Sequence, residues 1–183
     1  MRAVLDACVL YPTVMQKMLL GAAGAGLFEP RWSARIEEEW ARAAARKGQE
    51  PFARGEIAAA NAAFPRARVT WPPELERRLW LPDPADVHVL AAAVASSADI
   101  IVTANAKDFP RGLLAEEGLS RADPDALLLG LYEGSPEVVA GVAEAVLVEA
   151  RRLSEEDWQM RPLMKKARMP RLGKALARAG AAG

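Results

Sequence analysis

Apolar residues recur along this chain in two rhythms. Ala3-Val4-Leu5 and Ile100-Ile101-Val102-Thr103 are short unbroken runs, which predict strands buried on both faces. Val69-Thr70-Trp71 and Leu79-Trp80-Leu81 are further short strand candidates. Elsewhere the spacing is helical. From Val9 to Leu27, Val14, Met15, Met18 and Leu19 step three or four apart, and glycines 21, 24 and 26 loosen the end. Ser33 is placed to cap a helix whose apolar stripe is Ile36, Trp40, Ala43 and Ala44. Ile57 to Phe64 predicts another, ended by Pro65. Asp83-Pro84-Ala85-Asp86 opens a helix running to about Ser97, with a capping Asp ahead of Pro at the first helical position. Strand, helix and strand in close succession predict a parallel βαβ unit.

Past Pro110 the pattern reads as wholly helical. Asp125 to Leu131, Glu137 to Leu153, Glu155 to Met164 and Leu172 to Ala179 are separated by Gly134-Ser135-Pro136, Ser154 and Pro170. Ser154-Glu155-Glu156-Asp157 resembles a capping box with Asp in the final position. The expected organisation is an α/β domain over residues 1–124 and a small all-α extension over residues 125–183.

Composition narrows the possibilities. The 183 residues are 51% hydrophobic and 26% charged, enough to bury a core and unlike a disordered tail. A single Cys excludes an internal disulfide or a Cys-rich zinc site and suits a reducing cytoplasm. No apolar run has the length of a signal peptide core or a membrane span, so a cytoplasmic protein with no membrane partner is expected. Lys plus Arg number 24 and Asp plus Glu 24, which argues against coating nucleic acid through bulk charge. The balance is a cancellation. Arg161, Lys165, Lys166, Arg168, Arg171, Lys174 and Arg178 follow Asp157 with no acid among them.

Carboxylates change the picture most. In an open parallel sheet, ligands sit outside the carboxyl ends of the strands. Asp6 follows the first strand, Asn105 and Asp108 follow the Ile100–Thr103 strand, and Asp86 begins the helix after Leu79–Leu81. Crowded carboxylates repel unless a cation is shared between them. Oxygen-only ligands favour Mg²⁺ or Mn²⁺, and a hard cation in an open site suits phosphodiester hydrolysis. Asp83 is explained by capping alone. In Glu37-Glu38-Glu39, Glu38 points away from the apolar stripe at about 100° per residue. Glu37 and Glu39 flank that stripe symmetrically, so periodicity does not choose between them. His88 reads as a helix-face histidine and Cys8 as inert core. Phosphate-binding loops and a nucleophile elbow are missing from the sequence.

Three segments carry a family resemblance. Val4-Leu5-Asp6-Ala7-Cys8-Val9-Leu10 resembles the opening strand of PIN-domain ribonucleases. Leu81 to Ala93, with Asp83 and Asp86, is similar to their central Asp-bearing helix, and Ile101 to Pro110 resembles their closing Thr-x-[Asp/Asn]…Asp-Phe motif. The resemblance covers roughly residues 1 to 124. It implies a three-layer α/β/α sandwich around a parallel sheet. It also implies an endoribonuclease dependent on Mg²⁺ or Mn²⁺, often homodimeric, in which a metal-activated water leaves a 5′-phosphate and a 3′-hydroxyl.

By resemblance, Asp6, Glu39, Asp86 and Asp108 are the metal-holding and catalytic residues, with Thr103, Asn105 and Asp83 in support. Ser33 followed six residues later by Glu39 matches the family's helix-borne acid, which breaks the tie with Glu37. The helical tail resembles the extension of some VapC-type toxins, implying a cognate antitoxin. Cys8 stands where Asn is usual, and Asn105 where many members have Asp. The expected function is therefore a toxin-type endoribonuclease acting on RNA. The competing readings are a PIN-fold module that binds RNA or protein without cutting, and a phosphatase or DNA nuclease on a similar sheet.

Overall fold

The computed structural model describes residues 1–154 and 156–180. Its centre is a parallel sheet of four strands in the order β2-β1-β3-β4. β1 (Arg2–Leu5) and β3 (Ile100–Val102) are the inner pair, with Ala3 opposite Ile100 and Leu5 opposite Val102. Ala3, Val4, Leu5, Ile101 and Val102 are fully buried, as inner strands covered on both faces require. β2 (Glu29–Arg31) flanks β1 and β4 (Ser120–Ala122) flanks β3. Both edges are short and polar, and β2 contains Pro30, which an edge position tolerates.

The chain divides into two compact units. The first comprises Met1–Tyr11 and Phe28–Asp123 and holds the whole sheet. It also contains α1 (Ala7–Leu10), α3 (Ala34–Ala45), α4 (Glu50–Ala63), α5 (Pro73–Arg78), α6 (Val87–Ala95) and α7 (Arg111–Glu116). One-turn 3-10 helices at Pro84–Asp86 and Ala106–Asp108 complete it. The Ser33 hydroxyl accepts from Ile36 N at 3.2 Å and starts α3. Asp83 does the same for the next helix start, accepting from Ala85 N at 2.9 Å.

Several expectations need correction. Val69–Trp71 and Leu79–Leu81 are not strands; the first makes only a register-setting bridge nearby, Trp32 with Arg68. The βαβ unit expected from Leu79–Leu81 is therefore not the one that forms. β3, α7 and β4 supply it instead, within a stretch that reads as purely helical. Helical spacing from Val9 to Leu27 is split into α1 and α2 (Thr13–Gly24), because Pro12 lacks the N–H that would continue the first helix.

The second unit takes Pro12–Leu27, with α2, together with the chain from Pro124 onward. It contains α8 (Pro124–Gly134), α9 (Pro136–Ser154), α10 (Met160–Lys166) and α11 (Pro170–Gly180). On α9, Val139, Ala143, Val146 and Leu147 form the buried stripe. Helices approach closely where glycine allows it. A Cβ on Gly21 of α2 would stand 2.6 Å from Val142 Cγ1, and one on Gly173 of α11 would stand 2.7 Å from Met164 Cβ. The Ser154–Asp157 cap motif includes Glu155, which lies outside the described residues. α10 begins later, at Met160, after Gln159. No helix among the described residues is long and apolar enough to cross a membrane.

Candidate functional site

Asp6 and Thr103 occupy the next register position after Leu5 and Val102, at the carboxyl ends of the two inner strands. Asp6 N still donates to Val102 O at 3.1 Å, and Thr103 N to Ala122 O at 3.1 Å, so the ladder carries both to the rim. There the Thr103 hydroxyl donates to Asp6 Oδ2 at 2.7 Å, and the Cys8 thiol donates to the same oxygen at 3.0 Å. Part of Cys8 reaches the surface. Its thiol is nevertheless pushed up to about 12, by desolvation first and then by the Asp6 charge.

Asp83, Asp86 and Asp108 converge in front of this rim. One ligand oxygen from each lies within 4.8 Å of the others, and among the described residues they form the group able to share an ion. Asp86 is set by the 3-10 turn at the head of α6, which the Asp83 cap and Pro84 start. Its Oδ2 is buried without a hydrogen-bond partner. Desolvation, then the charges of Asp6, Asp83 and Asp108, raises its pKa from 3.8 to about 6, with His88 opposing. Asp108 is aimed by the Asn105 side-chain amide, which donates to Asp108 Oδ2. Asn105 N in turn donates to Thr103 Oγ1 at 3.0 Å, so one hydrogen-bonded chain joins Asp6, Thr103, Asn105 and Asp108.

The two glutamates that periodicity leaves equivalent have different surroundings. Glu37 is buried and accepts from Asn61 Nδ2 and Arg68 Nη2, each at 2.9 Å. Glu39 is partly exposed and lies 3.5 Å from Arg35 Nε. Nε2 of the buried His88 comes within 2.9 Å of Glu39 Oε1. That approach does not form a hydrogen bond, and neither ring nitrogen of His88 has a hydrogen-bond partner. Asp6 and Glu39 stand outside the trio that shares one ion position. Asp6 is coupled to it through the Asp86 charge, and Glu39 through Arg35, whose Nη2 donates to Ala85 O at 3.2 Å. Asp83 joins the trio although capping alone explained it in the sequence. Its signal there was only its three-residue spacing from Asp86.

The family model of the PIN domain matches residues 2–107. The chain belongs to the PIN-domain family. The match runs from β1 to the 3-10 turn ahead of Asp108, so Asp6, Glu39, Asp83, Asp86 and Asn105 all fall within it. Its parallel sheet and flanking helices are an α/β sandwich of the PIN type, with the helical segment from Pro124 following it. A PIN domain brings a nuclease fold, and at that level the acidic cluster fits a hydrolase acting on nucleic acid. Comparison with curated proteins and with solved structures gave no match.

Proposed function

We propose that this PIN domain is a Mg²⁺- or Mn²⁺-dependent endoribonuclease of the toxin type. The observation that carries the reading is the Asp83–Asp86–Asp108 group, in which Asp86 has a buried Oδ2 without a hydrogen-bond partner. Like charges brought this close are costly unless a cation is shared. An all-oxygen donor set fits a hard divalent ion. Asp83, Asp86 and Asp108 would hold it, with Asp6 and Glu39 completing the acidic surround. When bound, such an ion activates water and neutralises charge developing on the phosphodiester.

The chain's own residues then have distinct tasks. Thr103 and Cys8 hold Asp6 in one orientation, since both donate to it. Asn105 fixes Asp108 by donating to it. Arg35 keeps Glu39 near the rim and, with Lys107 at 4.0 Å from Asp108, offers positive charge to a phosphate. The products are a 5′-phosphate and a 3′-hydroxyl. A cognate antitoxin, a second copy of the chain and a cytoplasmic setting complete the proposal. Basic residues after Asp157 would either track RNA phosphates or form the solvated face of the last helices.

The second reading, a PIN module that binds RNA or protein without cutting, rests on Asn105, an amide spent on Asp108 where many members carry another carboxylate. Incubating the purified chain with labelled single-stranded RNA, DNA and a simple phosphate ester, with Mg²⁺, Mn²⁺ or EDTA, separates the readings. Metal-dependent cleavage of RNA that is lost in Asp6→Asn and in Asp86→Asn is expected. Cleavage surviving both substitutions would overturn the site, and RNA retention without cleavage would favour the binding module. Growth arrest on expression without a neighbouring antitoxin gene tests the toxin role.

A further inference from the structure

Next to the acidic rim, a cleft of about 450 Å³ opens between the start of α3 and the segment leading from Val69 into α5. Its volume falls in the range of small-ligand sites. One wall is the extended stretch that resembles a strand in sequence but has no sheet partner: Val69 N donates to Trp32 O at 2.8 Å, and Thr70 and Trp71 are left to line the cleft. Trp71 is not a loose side chain. Its indole N–H donates to Glu76 Oε1 at 2.8 Å, which fixes the ring against α5. Arg35 and Arg77 add guanidinium groups, so positive charge exceeds the single carboxylate of Glu76 among these residues.

Arg35 belongs to the cleft and to the rim at once. It lines the cleft, donates to the carbonyl of Ala85 beside Asp86, and lies 3.5 Å from Glu39 and 4.0 Å from Glu76. A strand whose phosphate sits at the carboxylates therefore has a neighbouring nucleotide within reach of Trp71.

We infer that this cleft takes one unpaired base of the substrate strand and reads its hydrogen-bonding edge. The inference rests on the ribonuclease reading for its substrate. Aromatic and guanidinium planes are the groups on which unpaired bases stack, while a base still held in a duplex cannot enter a concave slot. Stacking tolerates any base, so discrimination falls to the polar atoms. The Glu76 carboxylate accepts; its Oε1 is already used by Trp71, and Oε2, 4.0 Å from Arg35 Nη1, is left to meet a donor. An exocyclic amino group supplies that donor. Adenine, guanine and cytosine have one; uracil offers only its N3–H, set between two carbonyl oxygens that a carboxylate repels. The cleft therefore disfavours uracil at one position relative to the cut.

Two measurements on the full chain test this. Oligoribonucleotides varied one position at a time should show a single position where uracil slows cleavage about tenfold. That ratio should fall toward one in Trp71→Leu and in Glu76→Gln and be retained in Trp71→Phe. Arg77→Ala, whose side chain is 70% exposed and paired with the exposed Glu74 at 2.6 Å, should lower the ratio by about half and guards against misfolding of the Trp71 variants. Separately, CMP and UMP are titrated while the Trp71 indole N–H resonance is followed, with CMP expected to shift it at a lower concentration. A uracil penalty at no position, or one unchanged in Trp71→Leu, would overturn the inference, as would equal shifts by CMP and UMP. If RNA is never cut but CMP still binds in a Trp71-dependent way, the cleft stands and the ribonuclease reading falls.

Discussion

The Cys8 thiol donates to Asp6 at 3.0 Å, from the position where PIN-domain ribonucleases usually carry Asn. The departure therefore changes the donor atom and keeps the donation. Because the thiol is held up to about 12, it stays protonated throughout the physiological range, which is the form that can donate.

Two outcomes follow for Cys8. Alkylation by iodoacetamide at pH 8.5 should run at least about a hundredfold slower than for an ordinary thiol, since the thiolate is the reactive form. Cys8→Ala should cost about 1 kcal/mol in urea denaturation, the usual scale of one lost hydrogen bond, and Cys8→Ser should recover most of it. Rapid alkylation of the native protein would contradict the donor role.

Asp86 gives the pH dependence. Its pKa is raised from 3.8 to about 6 in the folded chain, so between those values the folded state binds more protons than the unfolded one. Stability of the metal-free protein then falls as pH rises through that window, and the penalty is complete above it. Asp86→Asn should stabilise the metal-free protein at pH 7.5 by about 1–2 kcal/mol. That is the shift at ~1.4 kcal/mol per unit, reduced because the side chain is partly open to water. Adding Mg²⁺ should narrow the difference by stabilising only the natural chain. Denaturation curves at pH 4.5 and 7.5, with and without Mg²⁺, test both signs.

Glu37 and Glu39 should separate stability from ion binding. Glu37→Ala strips the carboxylate from Asn61 and Arg68 and should cost about 2–3 kcal/mol, with Mn²⁺ affinity of the folded protein unchanged. Glu39→Gln should change stability by less than about 1 kcal/mol, as for other exposed charges, while weakening Mn²⁺ binding about tenfold or more. Isothermal titration with Mn²⁺ alongside urea denaturation distinguishes the pair. Reversed results would exchange their roles.

In the helical unit, the buried Asp125 accepts from Arg171 N and Leu172 N at 3.0 and 2.9 Å and from Arg171 Nε at 3.0 Å. It thereby caps α11 from α8, 46 residues away. Asp125→Ala should cost about 2 kcal/mol, at the upper end for a cap. Gly173→Ala should cost about 1–3 kcal/mol through the contact with Met164. Thermal melts of both variants check these values.

What the sequence disclosed and what it hid divide along physical lines. The inner strands, the Ser33 and Asp83 caps and the helices from Pro124 are legible because burial or capping leaves a local trace. β2 and β4 leave none: Glu29-Pro30-Arg31 and Ser120-Arg121-Ala122 are polar edges whose partners lie far along the chain. Val69–Trp71 misleads for the opposite reason, since its apolar run lines a cleft and not a sheet. Asp6, Asp86 and Asp108 were legible as acids following predicted strands or opening a helix. The surroundings of Glu37 were not, because Asn61 and Arg68 meet it only through α4 and the turn beyond.

The interleaving of the two units has a consequence for how the protein comes apart. α2 lies in the first sixth of the chain, yet it packs with α8 and α9. A protease that nicks the Gly134–Pro136 turn would thus not release two independent pieces. The fragment bearing the sheet would keep its grip on the severed helices through α2, and the halves would co-migrate on a native gel until denaturant parted them. Deleting everything after Asp123 would do something different, stripping α2 of α8 and α9 and leaving the remaining chain prone to aggregate.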